Sequence, residues 1–211
     1  GCRNVGTMVP AGEDHHLGPV RPLGTPATGS VASDRMRNSG YEQERAAWIE
    51  WRRERDRFCA HHYASPLPEE RMGDFKSLEY FDFNPEMVFQ SKLQPRSKET
   101  IEIVASTGSR TAYRVAGVVA VPFAVGTRDL VALQGEEDEM FIPFRDDTCG
   151  AGSYGGGRYV SPILLRDGTL RVDFNRAVNP YCAYDSDFSC PLPPAQNRLP
   201  LRVDAGERDY R

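Results

Sequence analysis

Two cysteines, Cys182 and Cys190, stand with seven residues between them in the segment Asp173 to Gly206 (DFNRAVNPYCAYDSDFSCPLPPAQNRLPLRVDAG). Thiols at that spacing can close a disulfide ring, worth roughly 2–3 kcal/mol in chain entropy. An exported protein would favour that state. The two can equally remain buried thiols or form half of a metal site. The metal reading is the weaker, because Asp185 and Asp187 do not complete a recognisable ligand set. The prolines of the segment, with Asn179 before Pro180 and Asn197 close to Leu199, describe a fixed, hydrogen-bonded loop rather than a strand or helix.

A second group of chemically capable residues is Asp146, Asp147, Arg158, Asp173 and Asn175. Adjacent acids such as Asp146 and Asp147 can serve as metal ligands or as an acid and base, although in loops they more often cap backbone amides or face solvent. Arg158, Asp173, Asn175 and Asn179 are expected to meet in one polar network, since buried groups of this kind must pair. That network is either an active site or the scaffold of the loop, and the density of turn-forming Asn and Pro favours scaffold. The run Cys149 to Gly157 (CGAGSYGGG) has the look of a phosphate cradle. No Lys-Ser/Thr pair ends it and a strand pattern follows, so a nucleotide site is rejected. His15-His16 lies alone in a Gly/Pro-rich stretch, and Cys59, His61 and His62 have no second ligand pair at zinc spacing. No metal and no cofactor is expected.

A helix and a set of strands must hold these groups. Ser39-Gly40-Tyr41-Glu42 has capping-box spacing, and Tyr41, Glu44, Trp48, Trp51, Arg55 and Phe58 follow at steps of three and four. This predicts an amphipathic helix from about Gly40 to His61. Trp48, Trp51 and Phe58 are expected to dock on the main domain, while Arg52 and Arg53 face water or a partner. Ser65-Pro66-Leu67-Pro68 ends the helix, and Phe75, Leu78, Tyr80, Phe81 and Phe83 form an aromatic cluster before Asn84-Pro85. Strand patterns then cover Thr100–Ala105, Arg110–Ala116, Val118–Val125, Leu130–Gln134, Met140–Phe144, Arg158–Leu165 and Thr169–Phe174. Hairpin-like breaks between several of them argue an antiparallel meander. The predicted fold is mainly β, an antiparallel sandwich or partly closed barrel, with one N-terminal amphipathic helix and an extended N-terminal arm.

The predicted divisions are a Gly/Pro-rich arm over residues 1–38, the helix over 39–63 and the β domain over 64–211. The arm has neither helical nor strand periodicity and would be disordered alone in water. A partner surface is expected to hold it through Val9, Pro10, Leu17 and Pro22, with Arg52 and Arg53 contributing from the helix. Gly1-Cys2 before a polar segment is what remains around the cleavage point of a bacterial lipoprotein signal peptide, so Cys2 is either lipid-bearing or a free thiol. The longest apolar run, Val115 to Val125, is far short of the roughly 20 residues a spanning helix needs, and Pro122 interrupts it. With 26 basic residues scattered among 30 acidic ones, no cationic stripe forms and nucleic-acid binding is disfavoured.

Several motifs carry a family resemblance: Phe144-Arg145-Asp146-Asp147-Thr148 with Gly150, Tyr154 to Tyr159 (YGGGRY), Asp173 to Ala177 (DFNRA), Asn179-Pro180 with Cys182-Ala183-Tyr184, and Cys190 to Pro194 (CPLPP) with Asn197, Leu199 and Ala205-Gly206. Over roughly Ser65 to Glu207 the chain resembles the prokaryotic family called domain of unknown function 1684. The resemblance implies the domain boundary and, because some members carry export signals, the compartment, but no reaction. Val178 stands where the pattern has an aromatic residue, and Cys149 where it has a small polar one. The resulting expectation is a non-catalytic accessory subunit on the periplasmic or other extracytoplasmic face of a membrane, anchored by a lipid on Cys2. It would dock on other protein subunits of a larger membrane-associated complex, for which an electron-transfer complex is one setting. The alternative is an enzyme or small-ligand binder with a polar site around Arg158 and Asp173.

Overall fold

The computed structural model describes residues 31–96, 99–135 and 137–210, with side chains described from Ser39 onward. Cys2, Val9, Pro10, Leu17, Pro22 and the His15-His16 pair lie outside the described residues. Helix α1 runs over Val31–His61, starting earlier than the capping-box spacing predicts. Gly40, which reads as a boundary, sits inside the helix with open space where a side chain would be. A single interior glycine costs only about 1 kcal/mol, too little to end a helix whose apolar stripe is already docked. One further turn, α2, covers Glu69–Met72. The strands are β1 (Val88–Ser91), β2 (Leu93–Pro95), β3 (Thr100–Val104), β4 (Arg110–Phe123), β5 (Gly126–Gln134), β6 (Met140–Phe144), β7 (Arg158–Val160), β8 (Ile163–Leu164) and β9 (Leu170–Asp173).

β4 is the longest of these strands and belongs to both predicted segments on either side of Gly117. It is continuous because a β-bulge between Val115 and Gly117 absorbs the irregularity. A bulge reverses the side-chain alternation. Val115 accordingly faces the helix side of the sheet, whereas Val119, Val121 and Phe123 face the opposite side. Only glycine fits at residue 117, where a Cβ would stand 2.5 Å from the Gln94 carbonyl oxygen and 2.7 Å from Leu93 Cδ1. One edge of β4 pairs first with β3 and then with β2; the other pairs with β5, which continues to β6 and β7. The predicted strand Arg158–Leu165 is two strands in two sheets. Pro162 removes a ladder donor, so β7 stays beside β6 while β8 crosses to pair with β9 and β1. The sheets are antiparallel and neither closes, so the barrel alternative gives way to two open sheets sharing a core.

Three apolar clusters fix the layers. Between the sheets lie Val119, Val121, Leu130, Ile142, Phe144, Val172 and Phe174, joined by Leu199, Val203 and Ala205 of the C-terminal segment. On the other face of the large sheet, Trp48 and Trp51 of α1 meet Phe83, Val115, Leu133, Phe141, Tyr159 and Val178. β5 serves both, with Leu130 and Ala132 turned one way and Val131 and Leu133 the other, which follows from the two-residue period of a strand. The third cluster joins Phe58 and Cys59 at the end of α1 to Leu67, Leu78, Tyr181, Tyr184 and Cys190. Among the described residues no helix is long and apolar enough to cross a membrane.

Candidate functional site

Arg158 opens β7 and is fully buried. Its Nη1 donates to the carbonyls of Ala205 and Glu207, and its Nη2 to Val203 O at 2.9 Å, Asp146 Oδ1 at 3.2 Å and Thr148 Oγ1 at 3.2 Å. The rings of Phe81 and Phe144 lie beside the guanidinium. Burial pulls its pKa below the usual arginine range, and Asp146 is the main opposing influence. Asp146 is itself buried, accepting from the backbone N–H of Thr148 at 3.1 Å and of Val203 at 2.8 Å. This pair therefore fastens the C-terminal segment to the β6–β7 connection. Neighbouring Asp147 points the other way and is exposed; the adjacent acids do not share a site.

Asp173 and Asn175 form a separate knot. Asp173 caps the 3-10 turn Phe174–Arg176 by accepting from Asn175 N at 3.0 Å, and it pairs with Arg171 at 3.1 Å. Arg171 in turn grips both carboxylate oxygens of Glu44, the bidentate geometry that makes such pairs strong. The Asn175 side-chain amide accepts from Asn84 N and donates to Asn84 O, and the backbone carbonyl of Asn175 accepts from Trp48 Nε1 at 2.9 Å. Sequence reasoning places Arg158, Asp173, Asn175 and Asn179 in one network; the structure divides them. Arg158 bonds towards the C-terminal segment, Asp173 and Asn175 bond towards α1 and residue 84, and Asn179 donates to the Arg208 carbonyl at 2.7 Å.

The charged centre that sequence reading passes over is Glu207 with Arg55, both buried. Glu207 Oε1 accepts from Arg55 Nε at 3.1 Å, while Oε2 accepts from Asn179 N at 2.6 Å and from the Tyr184 hydroxyl. Burial is the largest single influence on Arg55 and works against its charge, but Glu207, joined by Tyr184, Cys59 and Tyr80, holds the guanidinium well above its ordinary range. Half of this was detectable, since Arg55 falls on the apolar stripe between Trp51 and Phe58, where a charge demands a partner. Nothing local marks Glu207. Gly206 before it has a φ of +79°, and a Cβ there would meet Ala177 O at 2.7 Å, so the turn that delivers Glu207 requires glycine.

Of the alternatives open for Cys182 and Cys190, the structure shows free thiols rather than a disulfide ring. They are nonetheless in contact: the Cys182 backbone N–H donates to Cys190 Sγ at 3.3 Å. Cys59 points into the third cluster, His62 stacks on Phe58, and His61 is exposed. Among the described residues no three His, Cys, Asp or Glu side chains converge as a metal site. Val178 is a core residue whose backbone pairs both ways with Tyr159. Cys149 lies beside Asp146 at 3.6 Å. Arg53 is exposed as expected, but Arg52 is not. It stacks over Trp48 and Tyr80 with its Cζ 4.7 and 4.4 Å from the ring centres. A recess of about 380 Å³ is lined there by Tyr41, Arg45, Trp48, Arg52, Asp82 and Phe83, among others.

Residues 73–208 match the family described as protein of unknown function DUF1684. The chain belongs to this family. Its structure is similar to the solution NMR structure of an uncharacterized protein of Haloarcula marismortui, with a TM-score of 0.61 and 35% sequence identity, covering 83% of this chain and 97% of that one. That coverage exceeds what residues 73–208 alone can supply, so the shared fold takes in part of the segment before residue 73. No curated protein matches this chain.

Proposed function

We propose that this member of the DUF1684 family is a non-catalytic accessory subunit, held at the extracytoplasmic face of a membrane and docked on a larger membrane-associated protein complex. The observation that carries this reading is where Asp146, Arg158, Asp173 and Asn175 direct their hydrogen bonds. All four are buried and bonded to one another's neighbours, to backbone amides and carbonyls, or to α1. A site that turns over a substrate needs such groups at an open surface with bonding capacity to spare. Here all of that capacity but the buried Arg158 Nε joins segments of the fold, which suits a protein whose work is to present a fixed surface. The second reading, an enzyme or ligand binder centred on Arg158 and Asp173, would require the scaffold to open.

The outer face of α1 supplies the contact elements of the proposed subunit. Arg45 and Arg53 are exposed near the half-buried Arg52, whose guanidinium lies over two aromatic rings. Arginine beside aromatic residues is the composition favoured at protein–protein contacts. Anchoring rests on Gly1-Cys2, with a lipid on Cys2, and an oxidising compartment would join Cys182 to Cys190. The docking reading is tested in cells with a photo-reactive residue at position 53, and separately at 45, in the full-length protein. Cross-links to one subunit of a membrane complex are expected from both positions. Normal abundance with no cross-linked product from either would contradict the reading.

A further inference from the structure

We propose that Cys182 and Cys190 form a reversible dithiol that exchanges with small disulfides, with Cys182 as the attacking sulfur and Cys190 as the resolving one. This does not rest on the accessory-subunit reading. The argument begins with placement. Cys182 lies in the 3-10 turn Tyr181–Ala183, which Pro180 starts and which two backbone bonds, Ala183 N to Pro180 O and Tyr184 N to Tyr181 O, hold. Cys190 is fixed from the opposite side, because its N–H donates to Ser106 Oγ at 3.1 Å and its carbonyl accepts from Ser106 N at 2.8 Å. The next residue is held too, with the Tyr159 hydroxyl donating to Pro191 O at 2.6 Å. Two separately anchored segments thus bring the two cysteines into contact, with Cys190 Sγ 3.3 Å from the Cys182 backbone nitrogen.

The two sulfurs are not equivalent. Cys190 is buried at 4% exposure, whereas Cys182 is only partly buried and so is the one that a small molecule can approach. Beside Cys182 stand the Cys190 thiol, whose sulfur accepts from the Cys182 N–H, and the Tyr154 hydroxyl at 3.8 Å, both able to donate to a thiolate. Donation of this kind lowers the Cys182 pKa, the bond from Cys190 contributing most, while Cys190 is raised. The other two described thiols differ, although Cys149 also accepts from a hydroxyl, Ser153 Oγ at 3.9 Å. Cys59 is fully buried, and burial pushes it up to about 12; Cys149 is raised by burial beside Asp146.

The chemistry balances in two exchanges. The Cys182 thiolate attacks one sulfur of a small disulfide, forming a mixed disulfide and releasing one thiolate. Cys190 then loses its proton to that thiolate and attacks Cys182 Sγ, closing the protein ring and releasing the second thiolate. The protein dithiol is oxidised by two electrons and the small disulfide is reduced to two thiols; excess thiol reverses both steps.

The test uses reduced full-length protein, oxidised glutathione as the probe, alkylation to quench, and mass spectrometry of the intact protein and its peptides. The wild type should lose two hydrogen atoms, localised to a peptide linking residues 182 and 190, and regain them with reduced glutathione. Cys190→Ser should accumulate a glutathione adduct at Cys182, formed roughly tenfold faster than any at Cys149. Cys182→Ser should lose the rapid reaction altogether. A wild type that gathers stable adducts without closing the ring would overturn the proposal, and so would a first adduct at Cys149 or Cys59. If Cys190→Ser does not fold, the wild-type time course still decides, because a transient adduct must appear at Cys182 before the ring.

Discussion

Glu207 is the side chain whose loss would be felt most widely, since it faces Arg55, Tyr80, Asn179 and Tyr184 at once. Replacing Glu207 with Gln keeps the shape but leaves the Arg55 guanidinium buried without a counter-charge. Removing one partner of a buried pair costs about 3–5 kcal/mol, and urea unfolding monitored by tryptophan fluorescence should read a loss of that order. A second residue-scale prediction concerns pH. The Cys182 thiol is held down to about 6 by donation from Cys190 and Ser106 and from Tyr154, on which Asp209 also acts. Its thiolate is thus present above that pH and is lost as pH falls through it. Alkylation of Cys182 by iodoacetamide should fall to half its plateau near pH 6, where an ordinary cysteine does so about 2.5 pH units higher.

At the scale of elements, the bulge in β4 decides which residues face the helix and which face the second sheet. Gly117→Ala would drive a methyl group into the Gln94 carbonyl and Leu93. Overpacking of this sort costs about 1–3 kcal/mol, measurable as a lowered thermal midpoint, and β2 should lose protection in amide exchange before the rest of the sheet. The same bulge explains what was legible. Apolar residues reveal β3, β5, β6 and β9 without help, alternating in β3 and β9 and running continuously in β5 and β6, because each buries at least one face. Gly117 imitates a break, since a glycine inside a strand pattern marks either a turn or a close backbone approach and only the partner strand tells which. β1 and β2 escape notice because Val88–Ser91 and Leu93–Pro95 are short, follow an aromatic stretch and include a proline. Their strand character comes from β9 and β4 beside them rather than from their own residues.

For the whole molecule, the polar residues that look most like a site turn out to be its fastenings. Arg158, Asp173 and Asn175 were identifiable as buried and paired from residue type and turn context, whereas Asp146 could not be told from its exposed neighbour Asp147. Their division into separate networks was not legible, because it depends on contacts across 45 residues or more, such as Arg158 with Val203. The buried Arg55–Glu207 pair is the extreme case, spanning 152 residues with only its helical half foreshadowed. The arrangement is a helix on one face of a large sheet, a small sheet on the other, and a C-terminal segment fastened across both cores. It supports a role in presenting surfaces more than in turning over a substrate. Isolating the native protein from membranes in mild detergent, and identifying by mass spectrometry its N-terminal modification and whatever migrates with it, addresses that role most directly. The account predicts a lipid on Cys2 and stoichiometric partner subunits. An unmodified protein that migrates alone would contradict it.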